Sequence, residues 1–204
     1  MIPKIIHYVF GFDNTFCKKP FHNFHVWNIK LAKKYNPTYD IIFHYIHEPQ
    51  NDDNWKFVKE NCILNKISEE EINFQLPFKY TEHKVDLYRL YLLKKFGGIY
   101  FDIDIACLKS LDYFLKYKCV MGVEHGNNRI IGLCNAVLMS EINSEFINVW
   151  INEFVKDYRE QWEYNCVIMP YELSRMYQHL IHIEPNHSFF KFSWDNDGKQ
   201  KLFE

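Results

Sequence analysis

Two polar pairs lie close together in the stretch DLYRLYLLKKFGGIYFDIDI, which starts at Asp86 and contains Asp102 and Asp104 near its end. Asp102 and Asp104 are one residue apart. In an extended chain they point to the same side, together with Tyr100, while Ile99, Phe101, Ile103 and Ile105 point to the other. Carboxylates held within reach of each other repel and lose hydration unless a cation or a proton comes between them. That chemistry calls for a hard divalent cation. Asp86 and Arg89 are three residues apart, so on a helix an acid and a guanidinium share one face.

The elements needed to bring these groups together can be read around them. A helix runs through Tyr91, with Thr81 as its N-cap and Val85, Tyr88, Leu92, Leu93 and Phe96 as its apolar stripe. Gly97 and Gly98 end it with a left-handed turn, and a strand starts at Ile99. One tight corner then joins both polar pairs.

Upstream, Ile2 to Phe10 is strand-like, with Pro3 at its start. Phe21, Phe24, Trp27, Leu31 and Tyr35 recur at helical spacing, with Asn23, Lys30, Lys33 and Lys34 opposite, and Asn36-Pro37 ends the run. Asp40 to Ile46 forms a second strand and Asn54 to Lys59 a helix. Ser68 to Glu71 is a helix start or a solvated acidic loop. Downstream come a short helical or turn segment from Leu108 to Tyr117, a strand from Cys119 to Glu124, and a turn at Asn127-Asn128. Asn135 to Ser140 is a buried strand or the opening of a helix. A helix is marked by Phe146, Val149, Trp150, Phe154 and Tyr158, another runs from Pro170 to Tyr177, and a brief strand covers Ile181 to Ile183. This alternation predicts an α/β fold, a mostly parallel central sheet flanked by helices, with ligands at the carboxyl ends of its strands.

Composition narrows the function classes. The 204 residues are 48% hydrophobic and 18% aromatic, enough for one domain with a large core. The formal charge is −2 and the basic residues are scattered, which argues against a nucleic-acid partner. Cys17, Cys62, Cys107, Cys119, Cys134 and Cys166 show no metal or redox spacing and read as reduced thiols. MIPKIIHYVF is too short for a secretory leader, and no apolar run is long enough for a membrane span. The expectation is a soluble, cytoplasmic protein. His7, His44 and His47 read as satisfied core or edge histidines rather than ligands.

The combination IPKIIHYVF, then D-x-x-R, then GGIYFDID resembles the DXD-containing glycosyltransferases related to the yeast initiating mannosyltransferase, to capsular polysaccharide transferases and, distantly, to glucosylating clostridial toxins. The resemblance implies a GT-A-type, Rossmann-like nucleotide-binding sandwich. It also implies a nucleotide-sugar donor, UDP-linked by preference, a glycan or other hydroxyl acceptor, Mn²⁺ or Mg²⁺, and retention at the anomeric carbon. Carried over by position, Asp104 binds the metal, while Asp102 lies against the donor's ribose and sugar and reaches the metal through water. Asp86 and Arg89 hold sugar hydroxyls, Val9 and Phe10 meet the base, Tyr100 lines the donor site, and Asn135 stands close to the reacting sugar. Trp194 is the candidate for a donor lid.

Two departures stand out. Met169-Pro170 replaces a Gly-Pro of related sequences, and the Ser193-Trp194-Asp195 segment matches the closing segment of relatives poorly. A D-x-D-x-T phosphatase is disfavoured, because Ala106 stands in the threonine position. A nucleotide-sugar binder without turnover is the other alternative.

Overall fold

The protein is described from a computed structural model covering residues 1–13, 21–50, 52–126, 129–185 and 188–190. The alternation read from the sequence is present. Strands β1 (Ile5–Phe10), β2 (Asp40–Tyr45) and β3 (Ile63–Lys66) are separated by helices α1 (Asn23–Tyr35) and α2 (Asp53–Asn61). Helix α3 (Thr81–Phe96) then leads into β4 (Gly98–Phe101). The rest comprises β5 (Cys119–Gly126), β6 (Arg129–Ser140), α4 (Glu145–Lys156), α5 (Met169–Met176) and β7 (His182–Glu184).

The seven strands form one sheet in the order β3-β2-β1-β4-β6-β5-β7. Its pairings are parallel except for those of β6, which runs against both β4 and β5. Strands buried on both faces need apolar residues without alternation, and β1 (IIHYVF) meets this demand with four consecutive buried positions. One face of the sheet is covered by α3, α4 and α5 around Leu87, Leu90, Tyr100, Leu138 and Trp150. The other is covered by α1, α2 and the segment after β4, around Ile6, Phe43, Trp55, Ile99 and Met139.

Helix α3 lies between the sheet and α4, so it is buried nearly all round: Leu87, Leu90 and Leu93 are inaccessible, and the polar Asp86 and Arg89 are buried. The single apolar stripe expected from the sequence covers only part of its contacts. Thr81 is its first residue, and no side chain caps it at Tyr80. At its other end Gly97 and Gly98 have φ of +61° and +97°, and a Cβ on Gly98 would lie 2.7 Å from the Ile5 carbonyl oxygen. Only glycine fits this corner without strain.

Three expectations change. On α1 the buried stripe is Val26, Ile29 and Ala32, whereas Phe24 and Trp27 face outward. The small and branched residues pack closely onto the sheet and the aromatic ones do not. β3 is a strand that the sequence does not announce, because a four-residue edge strand with an exposed Ile63 carries no readable pattern. A π-helical turn (Tyr164–Ile168) precedes α5, and a Cβ on Gly132 of β6 would collide with its Val167. Cys62, Cys107, Cys119, Cys134 and Cys166 are free thiols. Cys17, the Asn127-Asn128 turn and residues 193–195 lie outside the described residues.

Candidate active site

The strand carrying the D-x-D pair is shorter than expected. β4 ends at Phe101, and the Ile105 amide donates to the Asp102 carbonyl at 3.0 Å, so the two aspartates sit on a turn at the strand's carboxyl end. Tyr100 and Asp102 do share one side, since the Tyr100 hydroxyl donates to Asp102 Oδ1 at 2.7 Å. Asp104 is set by the turn rather than by strand alternation. It is exposed, and among the described residues no other side chain bonds its carboxylate.

Arg89 joins the two polar pairs. Its guanidinium reaches Asp86 Oδ1 at 3.1 Å and Asp102 Oδ1 at 3.2 Å, and it stacks over the Tyr100 ring at 4.3 Å. The helix places Asp86 and Arg89 one turn apart, and the double-glycine corner brings Asp102 back over them. β6 completes the set. Opposite β5 its register jumps from Leu138 to Cys134, because the intervening residues leave that pairing. Val137 instead pairs with Phe101, and the Asp102 amide donates to the Ala136 carbonyl at 2.9 Å. This bulge turns Asn135 onto α3. Its carbonyl accepts from Arg89 Nη1 at 2.9 Å and its Nδ2 donates to Asp86 Oδ1 at 2.8 Å.

Asp86, Arg89 and Asn135 are each more than nine-tenths buried. Burial pushes the Asp86 carboxyl above its ordinary value, opposed by Arg89 and the Asn135 amide. Burial also works against the Arg89 charge, but the nearby Asp102 and Asp86 carboxylates outweigh it and hold the guanidinium firmly protonated. Desolvation and the neighbouring Asp102 charge raise the Asp104 carboxyl. Arg89 Nε is buried without a partner, so the cluster retains one unused donor.

At the carboxyl ends of β1 and β2 is an open cleft of about 520 Å³ whose walls include Phe12, Ile46, His47, Phe74 and Lys84 and none of the cluster residues. None of these was a candidate from sequence. For Phe12, Ile46 and His47 the position just past a strand end, and for Lys84 the first turn of α3, was the available signal; Phe74, in the loop before α3, carried none. Val9 is buried on the α3 side of the sheet. Phe10 turns its half-buried ring to the opposite side, 5.2 Å from Phe21 and 5.9 Å from His25. The structure thus brings Asp86, Arg89, Tyr100, Asp102 and Asn135 together, with Asp104 at their rim, and leaves Phe10 apart from them. Trp194 lies outside the described residues.

His7 and His44 are satisfied core histidines, as expected. Their ring nitrogens are 3.0 Å apart, with Gly97 and Asn65 as the outer partners.

Comparison with known proteins bears on the family likeness and the fold. Residues 24–121 match the family described as a glycosyltransferase sugar-binding region containing a DXD motif. The whole chain is 29% identical to Glucan organizing enzyme 1 of Cryptococcus neoformans var. grubii, and spans 58% of that protein's length. Among solved structures, the PaToxG glycosyltransferase superposes with a TM-score of 0.61 at 18% identity, covering 88% of this chain and 70% of its own. The galactosyltransferase LgtC, solved with donor and acceptor sugar analogs, gives 0.54 at 14% identity, covering 88% and 72%. At such identities the likeness concerns the fold, which is of the GT-A type. Residues 24–121 are therefore similar to the glycosyltransferase sugar-binding region of the DXD type, and the chain shares its fold with these glycosyltransferase structures.

Proposed function

We propose that this chain is a metal-dependent retaining glycosyltransferase that moves a hexose or N-acetylhexosamine from a nucleotide sugar, UDP-linked by preference, to a hydroxyl of a glycan or similar acceptor. The observation that carries the reading is the single guanidinium shared by Asp86 and Asp102 at a strand tip, with the unpaired Asp104 carboxylate beyond it.

The donor set fits a hard cation. Asp102 has Oδ1 engaged by Arg89 and Tyr100, which leaves Oδ2 to face a ligand, and Asp104 is open. No group of three or more His, Cys, Asp or Glu is placed to hold a metal ion by itself among the described residues. Two carboxylates without a full protein cage suit Mn²⁺ or Mg²⁺ that completes its shell with phosphate oxygens and water. When bound, such a cation neutralises the charge that gathers on the departing diphosphate. Asp104 would hold it directly, and Asp102 would reach it through water while lying against the donor's ribose.

The remaining residues bind and orient. Asp86 and Asn135 present polar atoms to sugar hydroxyls, and Arg89 fixes Asp102 and Asp86 in one geometry through its planar fork. The base end of the donor occupies the cleft at the tips of β1 and β2, against Phe12 and beside Val9 on the same face of the sheet, whereas Phe10, expected there from sequence, faces away. Trp194 is assigned the donor lid. Retention follows if the acceptor hydroxyl attacks the anomeric carbon on the face the diphosphate leaves, its proton passing to a phosphate oxygen of the donor.

A thermal-shift series with nucleotide sugars, with and without Mn²⁺, tests this reading, since a ligand bound only by the folded state raises the midpoint. Asp104→Ala is expected to abolish the metal-dependent part of the shift while leaving the melting of the free protein unchanged, because Asp104 is exposed. An undiminished shift in that variant would remove the metal role. Binding with neither donor hydrolysis nor transfer, across a panel of donors and acceptors, would leave a nucleotide-sugar binder.

A further inference from the structure

Helix α1 has two apolar stripes at helical spacing. The inner stripe, Val26, Ile29 and Ala32, is buried against the sheet. The outer one, Phe24, Trp27 and Leu31, points away from it, with Phe24 49% and Trp27 67% exposed. The segment after the D-x-D turn lies alongside α1, tied by Asn28 Nδ2 to the Ile103 carbonyl at 2.9 Å and by Asn36 Nδ2 to Cys107 Sγ at 3.3 Å. It adds Leu108 and Tyr113, 62% and 58% exposed. We propose that this surface docks on an anionic phospholipid bilayer.

Charge selects the occupant. In a chain of net charge −2, α1 carries Lys30, Lys33 and Lys34 and no carboxylate. Exposed Lys109 and Lys116 flank the second segment, and its one carboxylate, Asp112, is paired with Lys4 at 3.0 Å. Aromatic rings with interleaved lysines are the groups that settle at headgroup depth, the rings and lysine stems in the acyl boundary and the ammonium groups among phosphates. A second copy of this chain fits less well, because a two-fold interface would set these lysines against themselves. Asn28, on the inner side of the helical turn that presents Trp27, holds the residue between the two aspartates. Docking would therefore keep the Asp102–Asp104 turn about one helix diameter, roughly 10–12 Å, from the bilayer. The inference stands on the surface alone and does not depend on which group the site transfers.

Co-sedimentation of the full chain with phosphatidylcholine vesicles, with and without phosphatidylserine, tests it. Binding is expected only with phosphatidylserine and is expected to weaken as salt is raised. Trp27→Ser with Phe24→Ser should lower binding by at least about tenfold, and Lys30→Glu with Lys34→Glu by about fivefold per lysine. All four side chains are exposed, so both double variants should melt like the parent protein. No binding to phosphatidylserine vesicles, or binding untouched by either double variant, would overturn the proposal. So would a dimer in sedimentation that the Trp27→Ser, Phe24→Ser variant converts to monomer, since the face would then be a self-interface.

Discussion

Two buried polar networks meet at the α3–β4 corner, and they solve the problem of burying polar atoms in opposite ways. On the carboxyl side of the corner, Asp86, Arg89 and Asp102 bury charge against charge. On the other side, β1, β2 and β3 carry a chain without charge: Asn65 Nδ2 to His44 Nδ1 at 2.9 Å, His44 Nε2 to His7 Nδ1 at 3.0 Å, and His7 Nε2 to the Gly97 carbonyl at 2.9 Å. The Gly97 oxygen can only accept, so His7 Nε2 carries the proton and Nδ1 accepts from His44. His44 Nδ1 must then accept from the Asn65 amide. Every donor points the same way, and both rings are neutral. Burial agrees, pulling His7 down to about 4 and His44 to about 3. Charge is kept where the proposed ligands arrive, and neutral bonds serve where the corner only has to be held.

The largest expected effect comes from breaking the charged network. Arg89→Met leaves two carboxylates facing each other in a buried site, and should cost about 3–5 kcal/mol in urea unfolding. Adding Asp86→Asn should return part of that loss, a coupling measurable as a double-mutant cycle.

Acid breaks the neutral network next. The folded values of His7 and His44 lie below the unfolded 6.5, so the unfolded chain binds more protons below that pH. The stability linked to these residues is fully present above about pH 6.5 and is lost as pH falls toward 4, on the order of 3 kcal/mol for His7. Urea midpoints between pH 7.5 and 5 should fall in the parent protein, and the slope should flatten in a His7→Asn, His44→Asn variant.

Asn65→Leu sharpens the comparison at smaller scale. It leaves His44 Nδ1 without a donor and should cost about 1–3 kcal/mol in the same unfolding measurement. Tyr100→Phe is the mildest change. It removes one hydrogen bond to Asp102 while Arg89 remains in place, so about 1 kcal/mol of stability should be lost and the metal-dependent thermal shift retained.

The charged network was legible in its parts. The spacing of Asp86 and Arg89 gave a shared helix face, and the double glycine gave the corner that folds Asp102 onto it. Asn135 was legible as a residue but not in its geometry, because a bulge in a long antiparallel strand has no period to detect. The neutral network was half legible: His7 and His44 on strand-like segments suggested satisfied core groups, but a partner on β3 could not be named from a strand that showed no pattern. On α1 the largely aromatic set Phe24, Trp27 and Leu31 has helical spacing, but Val26, Ile29 and Ala32 have it too. The sheet selected the second set, since side chains near Ala32 must be small for the helix to sit close. A sequence with two equivalent stripes does not say which faces inward.

The corner itself has a consequence for how the chain reaches its native state. A Cβ on Gly97 would meet Pro3 and the amide of Ile142 at 2.8 Å, so three passages of backbone widely separated in sequence converge at this point. None of these contacts is local. The loop entropy of gathering them is lost before the corner gives any return, and assembly of this junction should therefore come late in folding, with the Pro3 segment acting as its latch.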